Sequence, residues 1–139
     1  MILVRVEIVY HGNELYFISE KIETAIDRFV NHVAKEIESG IRKEAPVQTG
    51  DLYRSFKSKP MGRLQALVYS NLHYAGIVND GRGPIEAKNG KALRFRIEGQ
   101  EIFVKRVGPA KPNPYVERGI DRVKRFDELL SKALREVGL

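Results

Sequence analysis

The stretch EAPVQTGDLYRS, residues 44–55, joins a long helical pattern to a run that alternates like a strand. Pro46 disfavours helical geometry at Ala45, so a preceding helix is expected to end at Glu44 or Ala45. Gly50 allows a backbone conformation that other residues resist, and the polar side chains on either side of it are suited to bond nearby amides. The stretch therefore predicts a corner between a helix and a sheet.

The sequence before the corner predicts a strand followed by a long helix. Residues 2–10 alternate apolar and polar side chains, which is the pattern of a strand with one buried face. From about Ser19, apolar residues recur at spacings of three and four, which indicates an amphipathic helix capped by Ser19. This apolar stripe consists of Ile22, Ala25, Ile26, Phe29, Val30, Val33, Ile37 and Ile41. Gly40 lies inside the helix, so either a neighbour packs closely there or the helix tolerates a cost of about 1 kcal/mol.

The sequence after the corner predicts two hairpins and a second helix. Leu52–Lys59 and Leu64–Ser70 alternate like strands, with PMGR as the turn between them. LHYAGIVNDGRGP then indicates a short helix followed by a glycine-containing loop, and strands over 92–97 and 101–107 form a second hairpin. Asn113 before a proline marks the start of the last helix. The apolar face of that helix is expected to contain Val116, Ile120, Val123, Phe126, Leu130, Leu134 and Val137.

Together these elements predict an α+β fold in a single domain over residues 1–139. One antiparallel β-sheet, made of the N-terminal strand and the two hairpins, is expected to pack with a long N-terminal helix and a C-terminal helix. A chain of 139 residues is long enough to bury one hydrophobic core of its own.

The composition narrows the classes of protein that fit. The chain has no cysteine, so it has neither disulfides nor thiolate metal sites. No run reaches the roughly 18 apolar residues of a membrane span, so no membrane partner is expected and a soluble protein made inside a cell is predicted. The net charge of +6 permits contact with nucleic acid without requiring it.

The sequence lacks the common catalytic motifs: Gly-x-Ser-x-Gly, His-Glu-x-x-His and a glycine loop ending in Lys-Ser or Lys-Thr. His32 and Glu36 lie four apart on the first helix, but no second histidine falls within that turn, so a solvated histidine is favoured over a metal ligand. His73 beside Tyr74 is the candidate base of a small hydrolase or nuclease, although no nucleophile or acid is tied to it by spacing. We therefore expect no catalytic residue, metal, cofactor or small-molecule substrate.

Basic residues in the second half of the chain support a rival hypothesis, a small nucleic-acid-binding module. The candidate phosphate contacts are Arg94, Arg96, Lys105, Arg122 and Arg125. Acidic residues are interspersed among them, and this mixture favours a solvated, neutralised face over a phosphate-binding stripe. Both interpretations stay open on the sequence alone.

Four segments of the sequence, in their order along the chain, form the pattern of a known family. The first, APVQTGDLYRSF, contains Ala-Pro-Val-x-Thr-Gly-x-Leu followed by Arg and Ser, and the second, HYAGIVNDGRG, contains Tyr-Ala-x-x-Val-x-x-Gly. The third, KALRFRIEGQEIFVKRV, has the form of a hairpin, and the fourth, GPAKPNPYVERGI, opens the last helix. From about residue 1 to 125 the chain thereby resembles the small tail-component family of tailed bacteriophages, the head–tail joining or tail-completion proteins. It departs from the family pattern where Gly108-Pro109 stand in reversed order and where Tyr115 replaces the usual Phe. The residues that the resemblance marks for the fold are Ala45, Pro46, Val47, Thr49, Gly50, Leu52, Tyr74, Ala75, Gly81, Pro112, Pro114 and Tyr115.

The resemblance implies a non-enzymatic assembly protein of a tailed virus or prophage, found in the virion or in the host cytoplasm during assembly. Such a protein forms or docks into a ring at the head–tail junction or tail end. The implied partners are further copies of the chain, a portal-side connector and tail-tube proteins, with weak contact to genome DNA as a further hypothesis.

The polar, glycine-rich segment 80–91 is either an ordinary loop or one that orders against a neighbouring subunit. The residues expected at a subunit interface are Asp80, Arg82, Ile85, Lys88, Phe95 and Phe103.

Overall fold

The computed structural model describes residues 1–8, 20–83, 85–86, 93–97, 100–104, 106–107 and 109–139. In chain order the elements are β1 (Ile2–Glu7), α1 (Glu20–Glu44), α2 (Asp51–Ser55), β2 (Lys57–Pro60), β3 (Gln65–Ser70), α3 (Ala75–Asp80), β4 (Ile85–Glu86), β5 (Leu93–Ile97), β6 (Gln100–Val104), β7 (Arg106–Val107), α4 (Tyr115–Asp121) and α5 (Phe126–Glu136). They fall into two compact units: unit 1 is Met1–Ala75 with Tyr115–Leu139, and unit 2 is Gly76–Pro114. The expectation of a single domain stays a prediction.

A three-stranded antiparallel sheet with the order β1-β3-β2 forms one layer of unit 1. The turn between β2 and β3 closes where the Met61 amide donates to the Gln65 carbonyl at 2.9 Å, and Gly62 there has a φ of 85°. Alternate residues of β3, Ala66, Val68 and Ser70, are buried. The strand expected near the N-terminus and the first hairpin are both present, although residues 9 and 10 of the expected strand lie outside the described residues.

The long helix α1 packs on this sheet and forms the centre of unit 1. Its buried residues are Ala25, Val30, Val33, Ala34, Ile37, Gly40 and Ile41. They follow the expected apolar stripe except near its start, where Ile26 and Phe29 are half-buried and Ile22 is 39% exposed. Acidic Glu20 and Glu23 stand in its first turn and basic Arg42 and Lys43 in its last, the arrangement that the helix dipole favours. The helix ends at Glu44, as the following proline predicts, while its expected cap Ser19 lies outside the described residues.

Gly40 is explained by a close crossing of α1 and α4. A Cβ atom built on Gly40 meets the carbonyl oxygen of Gly119, and one built on Gly119 comes within 2.5 Å of the Cα and amide nitrogen of Ile41. All of these neighbours are backbone atoms, which cannot turn aside as a side chain does. Of the two expectations for Gly40, close packing by a neighbour is therefore confirmed.

Residues 51–55 form a helix, although their alternation predicts the start of a strand. Leu52 and Phe56 lie four residues apart and are both buried, so one turn of helix directs both side chains into the core. The Arg54 amide donates to the Gly50 carbonyl at 3.2 Å, and Ser55 Oγ donates to the Leu52 carbonyl at 2.6 Å. The strand expected over Leu52–Lys59 is thus confined to β2, at Lys57–Pro60.

The C-terminal helical region consists of two helices, α4 and α5, where one was expected. The amides of Arg122 and Val123 donate to carbonyls three residues earlier, at 3.3 and 3.1 Å, and this tight turn ends α4. The break shifts the buried face: α5 buries Leu129 and Ala133, whereas the expected core residue Phe126 is 48% exposed.

In unit 2, α3 is followed by two short antiparallel ladders. The second hairpin is confirmed, since β5 pairs with β6. It was expected in one sheet with the N-terminal strand and the first hairpin, but over the described residues it forms a two-stranded ladder of its own. β4 pairs with β7 through Ile85↔Val107 and Glu86↔Arg106. The α+β class is confirmed.

Candidate functional site

The corner after α1 is closed by one glycine and one arginine. Gly50 has a φ of 88°, the left-handed region that glycine adopts at little steric cost. Arg54 Nη2 donates to the Thr49 carbonyl at 2.9 Å and lies 3.6 Å from a carboxylate oxygen of Asp51. Thr49 Oγ1 accepts a hydrogen bond from the Asp51 amide at 3.3 Å. The corner is therefore fixed by contacts within six consecutive residues, 49–54.

The corner separates buried from exposed members of the expected fold set. Ala45, Gly50 and Leu52 are buried, so they hold the helix and the sheet together. Pro46 and Val47 are exposed, and the Val47 side chain is 67% accessible. The Val47 side chain therefore adds little to the core.

Two further residues of the expected fold set, Ala75 and Tyr115, lie where the chain leaves and re-enters unit 1. Tyr115 is fully buried, and its hydroxyl donates to the Ala75 carbonyl at 2.9 Å. The Tyr115 ring packs edge-on against Phe56 with centroids 5.8 Å apart. Tyr115 thus combines aromatic packing with a buried hydrogen bond.

The candidate base His73 is exposed and lies edge-on to Tyr74, with ring centroids 5.4 Å apart. Burial raises the pKa of the Tyr74 phenol, and the negative charge of Asp51 raises it further. Within the part of the chain that the structure describes, no hydrogen bond or ion pair joins His73 to a nucleophile or an acid.

In unit 2, the expected fold residue Gly81 lies against the segment that leads to the last helices. Gly81 has a φ of 75°, and a Cβ atom there comes within 2.7 Å of the Ala110 carbonyl oxygen and 2.8 Å of the Pro112 nitrogen. The next residue, Arg82, exchanges two backbone hydrogen bonds of 3.0 Å with Ala110. Gly81 is therefore required both by backbone conformation and by space. Pro112 and Pro114 are exposed.

The expected interface residues are spread over the elements of unit 2. Asp80 ends α3 and accepts a bond from Asn79 Nδ2 at 2.9 Å, and Ile85 lies on β4. Phe95 lies on β5 opposite Ile102, and Phe103 on β6 opposite Arg94. Lys88 lies outside the described residues. The interface assignment of these residues stays a prediction.

The arginines expected to contact phosphates lie in two settings. Arg94 and Arg96 occupy alternate positions of β5, and Lys105 lies outside the described residues. Arg122 Nε donates to Glu44 Oε1 at 2.7 Å, beside Arg118 Nε, which donates to Glu44 Oε2 at 3.1 Å. These two hydrogen bonds lower the pKa of the Glu44 carboxyl.

The same kind of ion pair ties the helix α5 to α1. Arg125 bonds Glu36 at 2.9 Å and Glu128 at 3.2 Å. Glu136 accepts a bond from Arg28 at 2.7 Å and lies 2.6 Å from His32 Nε2, and both contacts lower the pKa of its carboxyl, that with Arg28 most. Arg122 and Arg125 thus serve helix packing here, and their proposed contact with phosphates stays a prediction.

His32 and Glu36, which were considered as a metal-binding pair, contact two different partners. His32 faces Glu136, and Glu36 faces Arg125. Over the described residues, no group of three or more His, Cys, Asp or Glu side chains is placed to hold a metal ion. None of the described helices is long and apolar enough to cross a membrane.

A basic surface on the three-stranded sheet is not apparent from the sequence. We define the outer sheet face as Leu3, Arg5, Lys57, Lys59, Leu67 and Tyr69, which form two neighbouring rows of side chains that point away from α1; Glu7 and Gln65 form the next row on the same side. The register places Leu3, Tyr69 and Lys57 in one row across the strands and Arg5, Leu67 and Lys59 in the next. Only the pairing β1-β3-β2 brings these residues together, because they come from three separate stretches of sequence.

Comparison with known proteins adds one match. Residues 13–81 match the family model described as "Bacteriophage HK97-gp10, putative tail-component". Neither the curated proteins nor the solved structures contain a match to the chain. The matched segment includes α1, the corner, the first hairpin and α3. Over residues 13–81 the resemblance stated from the sequence is thereby confirmed, and this segment is similar to the HK97-gp10-like tail components of tailed bacteriophages. For the segments after residue 81 the resemblance stays a prediction.

Proposed function

We propose that this chain is a structural virion-assembly protein of a tailed virus or prophage, which forms or docks into a ring at the head–tail junction or tail end. The observation that carries the proposal is the family match over residues 13–81. That segment holds both the buried corner residues, which maintain the fold, and the exposed tip at Val47. The protein acts by contact and does not catalyse a reaction.

The partners that suit this role are other copies of the chain, a portal-side connector and tail-tube proteins. Val47 at 67% and Phe126 at 48% exposure are apolar side chains that no part of the chain covers fully. Phenylalanine is among the residue types enriched at the centre of protein interfaces, and Val47 is the exposed apolar side chain of the corner. In unit 2, segment 80–91 and the hairpin β5–β6 are the further candidates for subunit contact, and the site of action is the virion or the host cytoplasm during assembly.

Deletion of the gene tests the assembly role. Electron micrographs of the deletion strain are expected to show filled heads and tails that are unjoined, or tails that are malformed. The tagged protein is expected to complement the deletion and to appear in purified particles. A deletion strain that yields normal infectious particles would refute the proposal.

A point substitution at the corner tests whether an exposed residue makes the contact. Val47→Asp places a charge on an accessible side chain, so the unfolding midpoint is expected to stay unchanged while the yield of joined particles falls. The matched control is Gln48→Asp, which introduces the same charge at the neighbouring exposed position. Equal yields from the two variants would remove Val47 from the interface and leave the assembly role to the deletion experiment.

A further inference from the structure

The outer sheet face carries three cations that no carboxylate of the described residues pairs with. Arg5, Lys57 and Lys59 are exposed, and no described carboxylate lies within ion-pair distance of them. The one acidic residue of the same face, Glu7, lies a row further along and accepts a bond from Gln65 Nε2 at 3.2 Å. Three cations and one carboxylate therefore lie on this side of the sheet, and the cations are in excess.

The spacing of these charges suits a chain of phosphates. Lys57 and Lys59 lie two residues apart on one strand, so their Cα atoms are separated by about 7 Å. Arg5 lies across β3 from Lys59, two strand spacings or roughly 10 Å away. These separations are no larger than the Debye length of about 10 Å at 0.1 M salt, so the three charges act together on one polyanion.

The central position of the face is aromatic. Tyr69 is partly exposed on β3, and Lys59 Nζ lies 5.1 Å from the centroid of its ring. Aromatic side chains beside cations on a sheet are a common means of binding single-stranded nucleic acid, because bases stack on the ring while cations bind the backbone.

A second copy of this chain fits the face less well than a polyanion does. Five of the chain's carboxylates already bind its own arginines: Glu23 binds Arg63, Glu36 binds Arg125, Glu38 binds Arg42, Glu44 binds Arg118 and Arg122, and Glu136 binds Arg28. These five could reach the outer sheet face of another copy only by breaking an ion pair. The net charge of +6 adds repulsion between copies.

We infer that the outer sheet face binds the phosphodiester backbone of nucleic acid, with Arg5, Lys57 and Lys59 on phosphates and Tyr69 against a base of a single strand. This inference uses none of the arginines that pair α1 with α4 and α5. It does not depend on the virion-assembly role, because the isolated protein is sufficient to test it.

The test is fluorescence anisotropy with labelled oligonucleotides of about 20 nucleotides, single-stranded and duplex, from low to high salt. Three phosphate contacts give a salt slope of about −2 for single strands, so a tenfold rise in salt weakens binding roughly 100-fold. The variant Arg5→Gln/Lys57→Gln/Lys59→Gln is expected to lose most of this slope and at least about tenfold in affinity at low salt. Tyr69→Ala is expected to weaken single-strand binding and to leave duplex binding unchanged.

The matched control is Lys124→Gln/Lys132→Gln/Arg135→Gln, which removes the same net charge from exposed positions in and beside α5. The control is expected to bind like the wild type, and the charge-conserving variant Arg5→Lys/Lys57→Arg/Lys59→Arg is expected to retain binding, which separates lost charge from lost folding. No binding at about 20 mM salt would overturn the inference, as would equal losses in the control and in the outer-face variant. Particles that lack the outer-face variant, while that variant still binds nucleic acid, would assign the face to an acidic protein partner instead.

Discussion

Substitution of Gly40 by alanine measures how closely α1 and α4 approach. The Cβ atom of the alanine meets the Gly119 carbonyl oxygen and lies 3.1 Å from the carbonyl carbon and 3.4 Å from the Cα of the same residue. In an open helix the change would gain about 1 kcal/mol, because alanine is the better helix former. Here the backbone of α4 must move, and overpacking of this kind costs about 1–3 kcal/mol or more. Since movement of α4 also disturbs buried Tyr115 and Val116, we expect a net loss of about 2 kcal/mol.

Thermal and urea unfolding followed by circular dichroism measure this loss, which corresponds to a fall of roughly 5–10 °C in the unfolding midpoint. The control is Gly76→Ala in α3, where a Cβ atom meets nothing within 4 Å, and it is expected to be as stable as the wild type or slightly more so. The double variant Gly40→Ala/Gly119→Ala should lose less than the sum of its single losses, because the first substitution already separates the helices. A Gly40→Ala protein as stable as the wild type would refute the close crossing.

Three further substitutions probe other contacts of unit 1. Glu44→Gln is expected to destabilise the protein at neutral pH and to have little effect in strong acid. Because the folded-state pKa of Glu44 is lowered, the stabilisation by its carboxylate is complete above the ordinary glutamate pKa and is lost as the pH falls through the lowered pKa. Urea unfolding across the acid range measures this, and a stability difference that does not change with pH would contradict it. Tyr115→Phe keeps the ring but leaves the Ala75 carbonyl without its buried donor, for an expected loss of about 1–3 kcal/mol in denaturant unfolding, whereas an unchanged midpoint would show that the bond contributes nothing. Gly50→Ala is expected to lower the free energy of unfolding by about 1–2 kcal/mol because φ is positive there, and Gly50→Asn is expected to lower it less. Equal losses for the two variants in thermal unfolding would show that a steric clash, and not the backbone conformation, destabilises them.

Local sequence patterns predict those helices and strands in which the buried residues recur at one regular spacing along the chain. The stripe of α1 and its end before Pro46 need only the helical spacing and the proline. The turn of the first hairpin and the strand β3 need only an alternating run and a glycine-containing turn, whereas the alternation over Leu52–Lys59 gives a strand only at Lys57–Pro60. In both cases the information lies within a few consecutive residues.

Elements that depend on distant partners are not predictable in this way. The apolar spacing runs unbroken from Val116 to Val137, yet the chain breaks after Asp121, where Arg122 and Arg125 reach carboxylates on α1. The need for glycine at position 40 arises only from the backbone of Gly119, which lies on another helix. The same holds for the candidate sites, since the outer sheet face exists only once β1 and β2 flank β3.

The insertion of unit 2 within unit 1 imposes an order on biosynthesis. α1 leaves the ribosome early, but the helices α4 and α5 that cover it follow unit 2 in the chain. At roughly 5–20 residues per second, the nascent chain spends several seconds with Gly40 and Ile41 uncovered. Tyr115, which bonds back to Ala75, begins the returning segment, and Gly119 four residues later packs against Gly40 and Ile41. A chain whose translation stops at Pro114 is therefore expected to be captured by chaperones or to aggregate, however well its first strands and helix have formed.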